Sequence, residues 1–389
     1  MLIAGGVYRE QCCVPAWDAM FGSGGRAAMA ISALSPGSSL YAYVESCEIE
    51  ATNVLKKLGV AVKFSQRRTG VVFSYFHPLS RPYIYPTVHE IVCQPAITIQ
   101  GDAVLRFGFL EGEAIVDAGR AVYDPQTWRN PAPFEANGSR SNELAVVLNE
   151  LEVKSASGLA DLSLAAQQVI EDQQAELVVV KRGIWGATVF ERSGNVSHIP
   201  VYRSSRVFKI GTGDVFSAVF AHYWAEKRLS PAEAADLASR AVSQYCSTGN
   251  LPIEPDRLDQ FVPIHCATSG TVLLLGEIGS LGRRYTMEEA RFVLKELGVN
   301  VCSPALADEM SGSPTAILIF ADGAEAETIR SIERELYPDL PIFVLQEKGV
   351  RCDELMKHPS LTKATFVDDF TTAIYGVAWA ALELAHQGN

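Results

Sequence analysis

The sequence predicts an α/β protein built from two domains. Its 389 residues exceed the usual size of one domain. Apolar runs of strand length alternate with segments of helical periodicity along the chain, which favours helices layered on sheets. Several of these runs contain almost no polar residues, as is typical of parallel strands buried on both faces. The clearest predicted strands are 176–183, 271–277, 315–323 and 340–347.

Two helices are predicted near the end of the first half. An apolar run without glycine or proline follows the Gly-Thr-Gly-Asp of residues 211–214 and extends to Trp224. The next helix starts after Ser230, a favourable N-cap residue, and has Pro231 in its first turn, where no amide hydrogen is needed.

The second half begins after a proline-rich boundary. Three prolines lie between Leu251 and Gly270, and a new apolar strand starts directly afterwards. Apolar residues at helical spacing predict a helix over residues 286–297. Gly298 marks its end, because glycine suits the left-handed turn that often ends a helix. The amphipathic to apolar segment 371–387 is predicted to be a helix that docks on a sheet. The predicted domains are residues 1–262 and 270–389.

The composition excludes several classes of protein. Apolar residues make up 48% of the chain, enough for packed cores, and the net charge of −12 argues against nucleic acid or an anionic membrane as the main partner. No apolar stretch approaches the ~20 residues of a membrane span, and the apolar start without a basic leader predicts a strand rather than a signal peptide. The eight cysteines show no CxxC pair, so neither a disulfide scaffold nor a zinc site is predicted. We expect a cytoplasmic homo-oligomer with a small-molecule substrate.

The segment Gly211-Thr212-Gly213-Asp214 has the properties of an anion-binding turn. Amides at a helix N-terminus point toward one spot, and the helix dipole adds partial positive charge there. Glycine lets the backbone approach a phosphate closely, and a neighbouring carboxylate can take the proton of an attacking hydroxyl. These parts suit a small-molecule kinase. An ordinary N-terminal cap, with Asp214 only stabilising the dipole, would have the same sequence.

Five segments within residues 1–265 resemble the PfkB (ribokinase-like) family of carbohydrate and nucleoside kinases, and they follow one another along the chain in the same order as in that family. Its G-A-G-D signature corresponds to GTGDVFSA. Its strand before the nucleotide site is similar to LVVVKRGIWGATVF, its N-x-x-E segment to RSNELAVVL, and its strand ending in Asp-Pro to GEAIVDAGRAVYDPQTW. Its di-glycine sugar-binding turn resembles GSGGRAAMAISAL.

The resemblance implies a mostly parallel ribokinase-like sheet with helices on both faces, and the use of ATP and Mg²⁺. It implies that Asp214 is the general base and that the glycine turn is the anion hole. Lys181, Gly183, Gly186 and Lys209 are expected to lie along the nucleotide. The implied sugar contacts are Glu10, Gly24 and Gly25, and Glu143 is expected to act on magnesium through water.

This sequence departs from the family pattern at three places. The asparagine expected three residues before Glu143 is Arg140, and the asparagine after the di-glycine turn corresponds to Met29. The family's Asp-Thr before the signature is Phe208-Lys209, where the lysine either holds a phosphate or replaces a monovalent-cation site.

Residues 270–389 resemble nucleoside 2-deoxyribosyltransferases, which implies a smaller flavodoxin-like or Rossmann-like α/β domain. The likeness lies in TVLLLGEIGSLGRRYTMEEARFVLKELGVNVCSP and in the following strand, Asp-Gly turn, helix and strand. Thr328 matches the family's threonine, but Ser331 stands where the family has its nucleophilic glutamate. A serine cannot supply the charge that stabilises an oxocarbenium-like centre. Asp322 and Ser331 are therefore expected to contact a ribosyl ligand in a degenerate domain.

The sequence thus predicts an ATP-dependent kinase acting on a hydroxyl of a sugar or nucleoside, with a C-terminal domain that binds a ribosyl or nucleoside ligand. Two alternatives remain at this stage. One is a nucleoside N-glycosyl transferase or hydrolase that acts through the C-terminal domain. The other is a non-catalytic nucleotide-sensing protein.

Overall fold

The computed structural model describes residues 1–127, 131–266, 269–308, 313–322, 339–347 and 361–387. The chain divides into two units. The first consists of Met1–Ser204 and Phe208–Pro263, and the second of Ser205–Val207 and Ile264–Asn389.

A nine-stranded sheet forms the centre of the first unit. Its strand order is β13-β12-β11-β10-β9-β8-β1-β4-β5, and every neighbouring pair is parallel except β11/β12 and β12/β13. The predicted α/β fold with a mostly parallel sheet is thereby confirmed. The strands are β1 (Leu2–Ala4), β4 (Ser39–Val44), β5 (Ala61–Gln66), β8 (Ile97–Phe107), β9 (Ala114–Asp124), β10 (Arg140–Asn149), β11 (Leu177–Lys181), β12 (Ala187–Glu191) and β13 (Val196–Ile199).

The first unit also contains a four-stranded sheet. Two of its strands follow β1 along the chain, and the other two follow β5. Its order is β3-β2-β6-β7, with β2 and β6 parallel and the outer pairs antiparallel. Its strands are β2 (Arg9–Cys12), β3 (Trp17–Met20), β6 (Val72–Tyr75) and β7 (Tyr83–Tyr85), while β14 (Val201–Tyr202) and β15 (Pro263–Ile264) are two-residue strands elsewhere.

Helices cover both faces of the large sheet. Alternation along the strands explains this, because side chains of successive residues point to opposite faces. On β11, Val179 belongs to one buried cluster and Val178 to the other. The helices are α1 (Gly22–Ala30), α2 (Asn53–Lys57), α3 (Glu150–Ser157), α4 (Leu162–Asp172), α5 (Thr212–Ala221) and α6 (Pro231–Thr248).

The structure confirms the predicted cap of α6, but the α-helix before it is shorter than predicted. The Ser230 side chain accepts the amide hydrogen of Glu233 and caps α6, as predicted. The helix predicted to run to Trp224 is α-helical only to Ala221. It continues as a π-helical turn, His222–Glu226, in which the Lys227 amide donates to the His222 carbonyl five residues back.

The second unit contains a five-stranded parallel sheet of order β17-β16-β18-β19-β20. Its helix α7 starts five residues earlier than predicted, because Ser280 accepts the Arg283 amide and supplies the N-cap. Gly298 ends it with φ of +81°, as predicted. Its elements are β16 (Thr271–Leu275), α7 (Leu281–Glu296), β17 (Asn300–Cys302), β18 (Ala316–Phe320), β19 (Ile342–Leu345), β20 (Thr365–Val367) and α8 (Phe370–Gln387).

Within the described ranges, no helix combines the length and the apolar character needed to traverse a bilayer.

Candidate active site

A polar pocket of about 310 Å³ opens in the first unit where strand ends and helix N-termini meet. The large sheet supplies residues at the carboxyl ends of β9, β10 and β11, and α1 and α5 supply their first turns. The small sheet supplies aromatic side chains from β6. The lining residues are Tyr8, Glu10, Gly22, Ser23, Arg26, Phe73, Tyr75, Asp124, Gln126, Asn149, Glu152, Lys181, Ile210, Gly211, Gly213 and Asp214.

The glycine turn places the N-terminus of α5 at this pocket. Gly211 is the N-cap residue with φ of +76°, and Asp214 lies in the first turn. A Cβ on Gly211 would lie 2.1 Å from the Arg26 Cζ atom, so only glycine fits. The first amides of a helix have no acceptor within it. Because the turn stands at the pocket wall, these amides and the helix dipole favour an anion there.

A buried arginine joins two carboxylates in the pocket. The Arg26 Nη1 atom lies 2.8 Å from Asp214 Oδ2 and 3.0 Å from Glu10 Oε1, and Nη2 donates to the other Glu10 oxygen. The Arg26 Nε atom donates to the Tyr245 hydroxyl at 3.3 Å, and the guanidinium lies over the Phe21 ring. Burial raises the pKa of Asp214 above its usual value, and the charge of Arg26 opposes that rise.

The second oxygen of Asp214 also has a protein donor. Gln126 Nε2 lies 2.6 Å from Asp214 Oδ1. Gln126 follows β9 and has φ of 55°, which non-glycine residues seldom adopt. Asp214, predicted from the sequence to be the catalytic carboxylate, is therefore buried and hydrogen-bonded on both oxygens.

Lys181, predicted to lie along the nucleotide, pairs with an acid at the end of β9. Lys181 Nζ is 2.7 Å from Asp124 Oδ2, which also accepts the Ser217 hydroxyl at 2.6 Å. Asp124 is 1% exposed, and its Oδ1 atom has no hydrogen-bond partner among the described residues. Burial lowers the pKa of Lys181, but the acids Asp124 and Glu152 reverse this and raise it overall, so the ammonium stays charged.

Asn149 and Glu152 form the start of α3 beside Lys181. The Asn149 side chain accepts the Glu152 amide at 2.9 Å, and the Glu152 carboxylate accepts the Asn149 amide at 2.8 Å. Burial, and then the charge of Asp124, raises the pKa of Glu152, whereas Lys181 lowers it. These two residues have the Asn-x-x-Glu spacing that the resemblance called for.

The structure corrects the placement of Glu143. This residue lies on β10 outside the pocket, with its carboxylate 2.7 Å from Arg120 Nη2 and 3.3 Å from Arg228 Nη1. The strand continues for six residues beyond Glu143 to Asn149. The pocket therefore lies at the later Asn-x-x-Glu motif, formed by Asn149 and Glu152. Arg140, at the start of β10, pairs with Asp117 on β9.

The predicted di-glycine turn at Gly24 and Gly25 lies inside helix α1, where Gly24 has a packing role. A Cβ on Gly24 would lie 2.5 Å from the Gly5 carbonyl carbon, so Gly24 lets α1 pack closely against the end of β1. Neither Gly24 nor Gly25 is among the pocket residues, whereas the preceding Gly22 and Ser23 are. Ser23 Oγ is buried and, within the ranges that the structure describes, has no hydrogen-bond partner.

The remaining nucleotide residues predicted in the first unit lie at turns. Lys209 Nζ donates to the Thr212 hydroxyl at 3.0 Å, beside the anion-binding turn. Gly183 and Gly186 have positive φ in the turn after β11, and a Cβ on Gly186 would lie 2.1 Å from the Ile199 carbonyl oxygen. Both glycines therefore shape the chain, and neither lines the pocket.

One of the predicted ribosyl contacts lies in the described part of the second unit. Asp322 follows β18, and both of its carboxylate oxygens accept the Glu347 amide at 3.0 Å. Burial raises the pKa of Asp322. Ser331 and Thr328 lie outside the described residues.

The pocket has oxygen atoms suited to the magnesium that the resemblance implies. Asp124 Oδ1 is a buried carboxylate oxygen to which no described residue donates, and Glu152 is a second carboxylate in the same pocket. In the part of the chain that the structure describes, no cluster of three or more Asp, Glu, His or Cys could hold a metal alone. Mg²⁺ is usually held by one or two carboxylates together with water and substrate phosphates, so the fit is of that kind.

Comparison with known proteins defines the class of fold first. The first unit has a ribokinase-like fold. Ribokinase from Giardia lamblia matches with a TM-score of 0.50 at 15% identity, covering 67% of this chain and 98% of that one. Arabidopsis thaliana ribokinase complexed with ribose and ATP matches with a TM-score of 0.51 at 14% identity, covering 67% and 97%.

The sequence comparison is narrower and more specific. Residues 141–252 match the pfkB family of carbohydrate kinases. The 5-dehydro-2-deoxygluconokinase of Lacticaseibacillus casei is 24% identical over 199 residues, which is 48% of this chain; the chain spans 60% of the length of that relative. The predicted PfkB resemblance is confirmed for this segment, while the resemblance of residues 270–389 to deoxyribosyltransferases stays a prediction.

Proposed function

We propose that this protein is a kinase that transfers the γ-phosphoryl group of ATP to a hydroxyl of a sugar or nucleoside. The observation that carries the proposal is the position of Asp214. Its carboxylate stands in the first turn of α5, beside the glycine turn, in a pocket that also holds Lys181. A base next to an anion-binding helix N-terminus is the arrangement that phosphoryl transfer requires.

Each part of the site has a role in this mechanism. The amides of Gly211 and Gly213 hold the oxygens of the transferred group, and Lys181 neutralises phosphate charge. The Thr212 amide, predicted to share this role, donates instead to the Lys209 carbonyl at 3.3 Å. Asp124 and Glu152 would hold Mg²⁺, directly or through water. When bound, that ion neutralises the phosphate oxygens.

Asp214 accepts the proton of the acceptor hydroxyl. The acceptor oxygen forms a bond to the γ-phosphorus, the bond from that phosphorus to the β,γ-bridging oxygen breaks, and ADP leaves with the electron pair. Burial raises the pKa of Asp214, and Arg26 opposes that rise because the guanidinium favours the charged form of the carboxyl. Burial also shields the reacting group from water.

The charges of the pocket favour an uncharged acceptor. It contains four carboxylates, from Glu10, Asp124, Glu152 and Asp214, and two cations, from Arg26 and Lys181. Glu10 and Asp214, which are not assigned to Mg²⁺, share the single cation Arg26, and the remaining negative charge disfavours sugar phosphates and sugar acids at the acceptor position. The pfkB match over residues 141–252 favours a carbohydrate over a nucleoside.

The experiment is ADP release from Mg-ATP across a panel of sugars, nucleosides and sugar phosphates, with the Asp214→Asn variant beside the wild type. We expect acceptor-dependent ADP with an uncharged acceptor, and a loss of about 10²- to 10⁴-fold in the variant. Nucleotide affinity, measured by calorimetry, should be retained. Equal rates in the two proteins would refute the role of Asp214.

A non-catalytic nucleotide-binding protein is the second candidate, because both oxygens of Asp214 already have protein donors. ATP binding without ADP release for any acceptor on the panel would favour it over the kinase.

For the second unit we propose binding of a nucleoside or ribosyl ligand without turnover. In parallel sheets with this kind of strand order, ligands bind at the carboxyl edge beside the first strand, and Asp322 follows β18 at that edge. Equilibrium dialysis with nucleosides should show binding that Asp322→Asn weakens. Release of free base from a nucleoside would contradict this proposal and support the glycosyl-transfer alternative.

A further inference from the structure

The two donors that hold Asp214 differ in how easily they can move. Arg26 is 1% exposed and is enclosed by Glu10, Tyr245 and the Phe21 ring. Its guanidinium also lies directly against Gly211. Withdrawal of this side chain would leave two buried carboxylates without a cation, which is strongly unfavourable. Asp214 Oδ2 is therefore permanently occupied.

Gln126, which donates to the other oxygen, is exposed, whereas Arg26 is buried. Its side chain is exposed at the wall of the pocket and is joined to Asp214 through Nε2. Its backbone has φ of 55°, a conformation in which a side chain with a Cβ is strained. A strained, exposed residue can give up this one contact to solvent or to a ligand at much lower cost than Arg26 can.

We propose that Gln126 covers Asp214 Oδ1 while the acceptor site is empty, and that the acceptor hydroxyl replaces the Gln126 amide at this oxygen. The proposal rests on the proposed kinase function and specifies how the base meets its substrate. Oδ1 is the only carboxylate oxygen of Asp214 whose donor can leave, so the acceptor proton passes to Oδ1. Gln126 is a positioning residue, since it acts through Asp214.

The contact also explains how water is kept from reacting in place of the acceptor. A water molecule at Oδ1 could give its proton to Asp214 and attack the γ-phosphorus, which yields ADP and inorganic phosphate. The Gln126 amide occupies that position by a charge-assisted hydrogen bond, which is stronger than one between neutral groups. An acceptor bound by the rest of the pocket can displace the amide, whereas a single water has no further contacts to offset the loss.

The test compares the wild type with Gln126→Ala and Gln126→Asn. Asparagine tolerates the left-handed backbone and keeps an amide, but it is one methylene shorter and should not reach Asp214. Gln168→Ala is the matched control, since Gln168 Nε2 donates to Asp172 Oδ1 at 2.8 Å on the exposed side of α4.

Two measurements are made on each protein. The first is ADP formation without acceptor, which should rise roughly tenfold in both Gln126 variants, as expected for loss of a hydrogen bond to a charged group. The second is the rate at which a water-soluble carbodiimide couples glycine ethyl ester to Asp214, followed by mass spectrometry. This rate should rise in the same variants and stay unchanged in the control.

The second measurement does not depend on turnover, so the two proposals can fail separately. Faster labelling in the Gln126 variants, with no ADP from any protein or acceptor, would support the Gln126 contact and reject the kinase function. Unchanged labelling would overturn the proposed cover, whatever the activity. So would equal loss of acceptor-dependent and acceptor-independent ADP formation, because that result describes a general structural defect.

Discussion

Replacement of Arg26 by methionine is expected to destabilise the first unit by about 3–5 kcal/mol at neutral pH, the usual effect of removing one partner of a buried ion pair. The magnitude follows from the surroundings of the side chain. Glu10 is 5% exposed and Asp214 is 8% exposed, and Arg26 contacts both carboxylates. Methionine keeps most of the length that packs on the Phe21 ring, so the loss is mainly one of charge.

The destabilisation should depend on pH with a defined sign. Burial raises the folded-state pKa of Asp214, and Arg26 opposes the rise, so the pKa should move further upward in the variant. A carboxyl whose pKa is raised by folding binds more protons in the folded state, and its effect is unfavourable once the pH exceeds its ordinary value. The loss in free energy of unfolding caused by the Arg26→Met substitution should therefore be largest near pH 8 and smaller near pH 5, to within about one pH unit.

Urea denaturation of both proteins across this pH range is the assay. Trp17 is a suitable fluorescent reporter because its ring stacks on Phe21, beside the Arg26 guanidinium. Addition of Glu10→Gln to the variant removes one of the two stranded charges and should restore part of the stability. A deficit that is the same at every pH, and unchanged by the second substitution, would refute the electrostatic reasoning and leave packing as the role of Arg26.

Two further predictions compare matched pairs of variants. Glu152→Gln should raise the Mg²⁺ concentration needed for half-maximal ADP formation by roughly tenfold or more. Glu143→Gln should change this concentration little, because the ion pairs of Glu143 are partly exposed. A larger effect of Glu143→Gln than of Glu152→Gln would return the metal role to Glu143. Gly211→Ala and Gly194→Ala both place alanine at positive φ, which costs about 1 kcal/mol in each, but only at 211 would the Cβ meet the Arg26 guanidinium, at 2.1 Å. Thermal unfolding should therefore show the larger loss at 211, and equal losses would argue against this contact.

Local features of the fold were predictable because they depend on neighbouring residues. The Ser230 cap, the left-handed Gly298 and the buried strand Leu177–Lys181 each follow from a few adjacent side chains. The anion-binding turn at Gly211 is of the same kind, since glycine spacing before an apolar helix is visible in the sequence alone. The four-stranded sheet was not predicted, because its short strands are bounded by loops and show little alternation.

The sequence assigned the magnesium role to Glu143 rather than to Glu152, which lines the pocket, because two similar segments lie close together. The stretch SNELAVVLNELE contains Asn-Glu twice, at Asn142-Glu143 and at Asn149-Glu150. Only the second is followed at the right spacing by another acid, Glu152. The apolar run between them marks the strand, and its end is where a parallel sheet places ligand-binding residues. The position of the acid relative to the end of that run was the signal that could have decided between them.

The arrangement around Asp214 is the hardest part to predict, since Arg26 is 188 residues from Asp214 along the chain and on a different helix. One sequence signal nevertheless points to it. Arg26 is the only charged residue in the small-residue segment GSGGRAAMA, and all nine residues of that helix are buried. An arginine in such a segment cannot face water, and a buried guanidinium requires acidic partners. Glu10 and Asp214, which the sequence had already placed in one site, are the acids that could supply them. The pairing of Arg26 with the Asp214 carboxylate therefore follows once the segment is recognised as a buried helix.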